Sequence, residues 1–288
     1  MPRSALAFGT LILALLCALP VWGATEIKDV SVRCAASAKD SKLVESSSSL
    51  VLDDAASSFT IRMERPQRHA YTVPYADIQK VIAEVSTASR VVPGETSALR
   101  YYAFYFERKP GVFPERFTVQ ASSGSAELLA KLRSAFGARV QELAFPLADE
   151  SDLSRLSDLN TNYTVKVEKP GPAIPAAKKE SALVVVVCPW EDDSKKEPIN
   201  LDANGRVIAA EIPGTYSFVN LDPGDYTMVA QAANARQLRV KMEAGHTYYF
   251  FLDPVEGGSR TNLSMHSREM AQFEISGAAY SDWRRDKY

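Results

Sequence analysis

The chain has 288 residues, and its 33 Lys and Arg nearly balance 35 Asp and Glu, a formal charge of -2. The basic residues form no cluster of the kind that marks a nucleic-acid footprint, which excludes that class of partner. Past residue 23 no apolar stretch is long enough to cross a bilayer as a helix, so the remainder reads as a soluble chain.

Residues 1–23 open with Met1, Pro2 and Arg3, continue almost wholly apolar through 6–21, and close on Trp22 and Gly23 before Ala24. One positive charge, a short apolar core and small residues after it describe a secretory signal peptide. Cleavage after Gly23 places Val21 three positions back, whereas cleavage after Ala24 would put Trp22 there. A lipoprotein reading centred on Cys17 is the weaker alternative, because Leu16 stands where a small residue is wanted. Loss of the segment removes Arg3, leaving 32 basic against 35 acidic residues, a net charge of about -3, in a chain expected in the periplasm or outside the cell. Export permits a disulfide between Cys34 and Cys188. Alternatively Cys188, ending a Val-rich run, is a buried small hydrophobe.

Residues 24–145 read as a first β domain, with strand candidates at 27–33, 49–52, 58–64, 69–73, 78–85, 100–108 and 116–120. Phe59, Ile61 and Met63 alternate with Thr60, Arg62 and Glu64, which gives one dry face and one wet face. Asp53-Asp54 supplies a turn. In 100–108, Tyr102, Phe104 and Phe106 face one way and Tyr101, Ala103 and Tyr105 the other, so most of this aromatic area is expected in a core. Leu128, Leu129, Leu132 and Phe136 then recur at helical spacing, with Ser123 or Ser125 placed to cap the helix and Gly137 to end it. A run of strands followed by one amphipathic helix predicts a bent sheet or open barrel that the helix closes. This order, with Val73-Pro74-Tyr75-Ala76-Asp77-Ile78 in its middle, resembles bacterial pleckstrin-homology-like domains. The resemblance implies binding of phosphoinositides or peptides, or a scaffold role. Lipid-binding members use basic residues in an early loop, and here 41–54 offers Lys42 against Glu45, Asp53 and Asp54, which argues against a phosphoinositide.

Residues 146–180 change character. Asp149, Glu150 and Asp152, then 158–162, then Pro170, Pro172 and Pro175 form turns and a Pro-rich spacer expected to hold two domains apart. Within it, 163–167 reads as a short strand of the first domain.

Residues 181–275 read as a β-sandwich domain. Val-rich 182–188 opens it, and Asn204-Gly205 predicts a hairpin over 199–210. Tyr216 and Phe218 precede a Pro223-Gly224 turn, after which Tyr226, Met228, Ala230 and Ala232 continue a period of two on a returning strand. Leu238, Val240 and Met242 alternate with Arg239, Lys241 and Glu243, a half-buried strand. After Ala244-Gly245, the 246–252 strand carries Tyr248, Phe250 and Leu252 on one face and Tyr249 and Phe251 on the other, which marks it as central or as covered on its outer side. The opening strand, the segment Gly214-Thr215-Tyr216-Ser217-Phe218 before Pro223-Gly224-Asp225-Tyr226, and the closing run from Ala244 to Tyr249 together resemble a family of bacterial exported domains with a transthyretin-like β-sandwich. That resemblance implies a fold and no activity. A final strand at 261–266 and a short helix at 267–275 follow, and 276–288 reads as a polar tail.

His69, His246 and His266 each stand alone in their local context, short of the three or four ligands a zinc site needs. Neither Cys34 nor any His shows the setting of a thiol nucleophile. Glu191, Asp192 and Asp193, with Asp202 and Asn204, offer oxygen ligands for calcium, although a solvated loop explains them as well. No cofactor is implied. The candidate ligand or partner contacts are aromatic: Tyr101 and Tyr105, Tyr249 and Phe251, and Trp283 in the tail. The expectation is a mainly β, two-domain, non-catalytic binding or scaffolding protein of the cell envelope, its partner an envelope protein or cell-wall component. A small-ligand or lipid carrier using the first domain, and an envelope hydrolase, are the alternatives.

Overall fold

The computed structural model describes residues 24–37, 40–64, 69–88, 100–121, 123–150, 163–189, 198–255 and 260–285. Residues 1–23, expected to be a signal peptide, and the acidic run Glu191, Asp192 and Asp193 lie outside the described residues. The described chain is mainly β and builds three sheets.

The first sheet collects β1 (Thr25–Ser37), β2 (Asp40–Asp53), β3 (Ser58–Met63), β4 (His69–Pro74), β5 (Ile78–Ala88), β6 (Arg100–Arg108), β7 (Arg116–Ala121) and β8 (Val140–Leu147), in the order β4-β3-β2-β1-β7-β6-β5-β8. All its pairings are antiparallel except β5 with β8. The helix α1 (Ser125–Phe136) lays Leu128, Leu129, Leu132 and Phe136 into the concave face against Phe59, Phe104, Phe106 and Phe117. Phe106 and Phe117 stack with ring centroids 4.7 Å apart. Burying each such side chain is worth roughly 1.5–3 kcal/mol, which is what holds the sheet bent around the helix.

Three local expectations are corrected. β2 runs from Asp40 rather than from residue 49, so the 41–54 stretch is strand as far as Asp53 and not a loop. Its period of two was hidden by serines: Ser46 and Ser48 point inward and are buried, and the Ser48 hydroxyl donates to the Ser46 carbonyl at 3.1 Å. α1 has no side-chain cap: it starts after left-handed Gly124, φ 70°, while the Ser125 hydroxyl donates to the Ala121 carbonyl. Gly137 does end the helix, at φ 52°. β8 was missed, since none of its residues is fully buried and its partly covered positions do not alternate.

The other two sheets stack face to face. One orders β10 (Tyr163–Glu168), β19 (Ala279–Arg285), β14 (Thr215–Leu221), β11 (Ala182–Cys188), β17 (Thr247–Val255) and β18 (Arg260–His266); its partner orders β13 (Arg206–Glu211), β12 (Ile199–Ala203), β15 (Gly224–Gln231), β16 (Ala235–Met242) and β9 (Asp149–Glu150). Between them lie Val184, Val186, Phe250 and Leu252 from one side and Leu201, Met228, Ala230 and Leu238 from the other. The Asn204-Gly205 hairpin forms, with both residues at positive φ and the Asn204 side chain bonded to the Thr227 amide and the Asp225 carbonyl. β17 is flanked by β11 and β18, so it is central as its two aromatic faces require. The Pro223-Gly224 turn, however, closes no hairpin: β14 and β15 belong to different sheets, and the turn carries the chain across the sandwich.

The polar tail is not one. Ala279–Arg285 forms a strand inserted between β10 and β14, and buried Ser281 donates to the Ala210 carbonyl at 2.9 Å. Its alternating charges, Asp282 and Arg284, masked it. Tyr163–Glu168 pairs with this strand and so belongs to the sandwich, not to the first domain. Nor does the 146–180 spacer hold the halves apart, because an apolar cluster joins the first sheet directly to the sandwich. Cys34 and Cys188 are buried in two different clusters and are not bridged to each other.

Candidate functional site

The chemistry of this protein converges where the outer face of the first sheet meets the outer face of the sandwich. The short helix α2 (Arg268–Ile275) sits in that junction. Its Met270, Ala271 and Phe273 pack with Leu183, Val185 and Val187 of β11, with Tyr249 and Phe251 of β17, and with Ile82, Ala103 and Tyr105 of the first sheet. Both β6 and β17 are aromatic on two faces for this reason: each covers its own core with one face and the junction with the other.

Charged residues of the first sheet hold α2 at its two ends. Glu84 Oε1 accepts from the Ser267 amide at 2.8 Å, beside the helix N-terminus, and Lys80 Nζ meets Glu269 Oε1 at 2.5 Å in the first turn. Arg33 reaches Glu274 in the last turn at 3.0 Å and Glu45 at 2.6 Å. A carboxylate at the positive end and a guanidinium at the negative end match the helix dipole, each worth about 0.3–1 kcal/mol and more when buried. Ser267 adds the N-cap, its hydroxyl accepting from the Met270 amide.

His266, at the end of β18, continues the network. Its Nδ1 lies 2.5 Å from Glu84 Oε2, its Nε2 lies 2.9 Å from Ser264 Oγ, and Ser264 Oγ donates to Asp253 Oδ2 at 3.1 Å. The Phe251 ring lies 4.1 Å from the imidazole, centroid to centroid. Burial alone opposes an imidazolium here, yet Glu84, Asp253 and Glu274 outweigh it and raise the His266 pKa. Burial likewise acts against the Glu84 carboxylate, but His266 and the Ser267 donors more than offset it and hold Glu84 below the usual range. Asp253 and Glu274 are pushed up by burial that their cationic neighbours only partly relieve.

A hydroxyl, an imidazole and a carboxylate in line have the outline of a nucleophile relay, and the charges around them disfavour one. A general base must be neutral and must face the hydroxyl proton. Here Asp253 competes with the imidazole for the Ser264 hydroxyl, and Glu84, Asp253 and Glu274 favour the charged imidazole. Ser264 is also a mid-strand residue opposite Phe251, with no turn to expose it. The arrangement is a carboxylate–imidazole–hydroxyl–carboxylate chain that ties strand to strand.

Of the sequence candidates, Tyr105, Tyr249 and Phe251 are brought together, all buried in the junction; Tyr105 meets Phe273 edge-on at 6.3 Å. Burial pushes the Tyr105 hydroxyl up to about 12. Tyr101 stands apart, 57% exposed, and Trp283 is half-buried on β19 with its ring edge-on to Tyr163. His69 lies against Tyr71 with the two rings tilted, and His246 lies exposed at a turn, so neither joins His266. Asp202 and Asn204 serve the hairpin, Asp202 by accepting from the Gly205 amide at 2.6 Å. Glu84, His266, Arg33 and Glu274 were missed. A signal for one of them was present, because Glu84 interrupts an otherwise apolar run from Val81 to Val85, and a carboxylate so placed is buried only with partners.

A second buried acid lies inside the sandwich. Glu211, fully buried on β13, accepts from Thr215 Oγ1 at 2.6 Å, and burial raises it to about 8 against the pull of Ser217, Thr215 and Ser281.

Among the described residues no group of three or more His, Cys, Asp and Glu could hold a metal, and no helix is long and apolar enough to cross a membrane. The chain matches no protein family and no curated protein. Among solved structures it aligns with a candidate cell adhesion protein from Bacteroides fragilis over 93% of this chain and 92% of that one, at 8% identity and a TM-score of 0.18. A score that low supports no argument about fold or role.

Proposed function

We propose that this chain is an exported, non-catalytic binding or scaffolding protein of the cell envelope, in which a pleckstrin-homology-like part is fused rigidly to a transthyretin-like sandwich. The element order supports the first name: two antiparallel runs of strands, β1 to β4 and β5 to β7, are followed by the closing helix α1. The stacked sheets of 182–266 support the second. One observation carries the functional reading. The serine, histidine and acids that converge are bonded to one another and, through Glu84, to the start of α2, with Asp253 and His266 sharing the Ser264 hydroxyl.

The partner is an envelope protein or cell-wall component, and exposed Tyr101 and half-buried Trp283 remain the aromatic contacts open to it. The carrier alternative is disfavoured because Phe59, Phe104, Phe106 and Phe117, with α1, fill the space a ligand would take in the first sheet.

The test uses the chain from Ala24 onward carrying a photo-crosslinking side chain at position 101 or, separately, at 283, mixed with envelope extract. A discrete crosslinked envelope protein or glycan, formed equally by Ser264→Ala, is expected. Absence of any product at both positions removes the binding reading. Turnover of ester, peptide or glycoside substrates that disappears in Ser264→Ala replaces it with the hydrolase.

A further inference from the structure

Beyond that reading, we infer that the Glu84–His266–Ser264–Asp253 chain is a pH-sensitive latch between the first sheet and the sandwich, closed while the imidazole carries both ring protons and loosened when one is lost. One placement of protons satisfies every contact of the chain with the imidazole charged. With both ring nitrogens protonated, Nδ1–H is donated to Glu84 over 2.5 Å, Nε2–H to Ser264 over 2.9 Å, and the serine proton to Asp253 over 3.1 Å. Every acceptor then has a donor.

Removing one proton breaks this order whichever nitrogen loses it. If Nδ1 keeps its proton, Nε2 becomes an acceptor, takes the serine proton, and Asp253 loses that donor. If Nε2 keeps it, two bare acceptors, Nδ1 and Glu84 Oε2, face each other at a donor–acceptor distance. Either outcome leaves a buried carboxylate without its counter-charge, which is among the costlier events inside a protein. The Phe251 ring, 4.1 Å away, also favours a cation over a neutral ring.

Arg33 still favours the Asp253 carboxylate, whereas the cation acting on Glu84 is His266. β5 contributes Glu84 and Lys80, and Lys80 is paired with Glu269 of α2. β17 contributes Asp253, α2 contributes Glu269 and Glu274, and β1 and β2 contribute Arg33 and Glu45, which pair with each other and with Glu274. His266 is the cation of this set whose ordinary value, 6.5, lies near neutrality. Because that value is raised in the closed form, its contribution is complete below 6.5 and is lost as pH rises through the closed-form value. Glu84, lowered from 4.5, contributes above 4.5 and stops as pH falls through its own closed-form value. The latch is therefore tightest between those two limits.

The same Glu84 that pairs with His266 also accepts the Ser267 amide at the start of α2, so what His266 does is transmitted to the helix that joins the halves. The test is nitrogen chemical shifts of the His266 ring across pH in the unmodified protein, together with hydrogen exchange of the α2 amides corrected for intrinsic rate. Both ring nitrogens are expected to remain protonated as pH rises past 6.5. Protection of α2 is expected to fall by up to about tenfold per pH unit once the second proton leaves, and to show no such step in His266→Gln. Loss of the second proton at or below 6.5, or α2 protection that ignores the ionisation, overturns the latch. Should His266→Gln fail to fold, the ring shifts and exchange of the unmodified protein decide alone.

Discussion

Arg33 and Glu274 meet at 3.0 Å although 241 residues separate them, one in the first strand and the other in the last turn of α2. The contact is part-buried and shared, since Arg33 also binds Glu45. Burial opposes the charge on both Arg33 and Glu274; the two carboxylates overcome it and raise Arg33 still further above its ordinary range.

Removing one partner should therefore cost more than removing both. Arg33→Met alone leaves Glu274 buried without its cation and is expected to destabilise by about 3–5 kcal/mol. The double variant Arg33→Met, Glu274→Met should recover much of that. Denaturant titration of the four proteins in the cycle checks it; additive losses would mean the pair is not coupled.

Glu211 sets a second dependence on pH. Its value in the folded protein is raised to about 8 from 4.5, so its protonated form stabilises the fold fully below 4.5 and that contribution is lost as pH rises to 8. Glu211→Gln, which keeps the shape and cannot ionise, should gain on the parent by up to about 1.4 kcal/mol per pH unit across this window and by no more above it. Urea unfolding of both proteins from pH 5 to 9 measures this, and parallel curves would refute it.

Gly171 is held where a side chain has no room. An added Cβ would lie 2.6 Å from both Tyr216 Oη and Tyr280 Cβ. The tyrosine hydroxyl can move, at the loss of its bond to the Pro172 carbonyl, but the Tyr280 Cβ is fixed to its strand. Gly171→Ala is expected to cost about 1–3 kcal/mol and to loosen β10 and β19 first. Amide exchange resolved by residue should show the loss confined there; an even loss over the sandwich contradicts it.

Cys34 and Cys188 should appear in separate peptides when the non-reduced protein is digested and mapped. Burial raises the Cys34 thiol to about 11, so alkylation of the native protein at pH 8 should be slow there and fast after unfolding. A linked pair of peptides would contradict the placement of the two residues in different cores.

Where side chains alternate cleanly, the sequence was easy to read. Phe59 and Ile61 against Thr60 and Arg62 placed β3, and the two-faced aromatics of β6 and β17 announced surfaces that are covered twice. The Asn204-Gly205 turn was equally plain, because few dipeptides accept positive φ twice. Burial carried by small or charged residues was harder to see. Serines hid half of β2, and Asp282 and Arg284 disguised β19 as a tail. The junction was least legible, since Glu84 and His266 lie 182 positions apart and nothing local to either names the other. Only the odd placement of Glu84 among Val81, Ile82, Ala83 and Val85 hinted that a counter-charge must arrive from elsewhere.

The insertion of β19 between β10 and β14 bears on the order in which the protein can assemble. Tyr163 pairs with Arg285 and Glu168 with Tyr280, so β10 has no neighbour until nearly the whole sandwich has been synthesised. Through that interval it is a bare edge carrying Tyr163, Val165 and Val167, the kind of strand that recruits other chains. Closing so long a loop is slow, and this last ribbon should set the pace at which newly made chains become safe from aggregation.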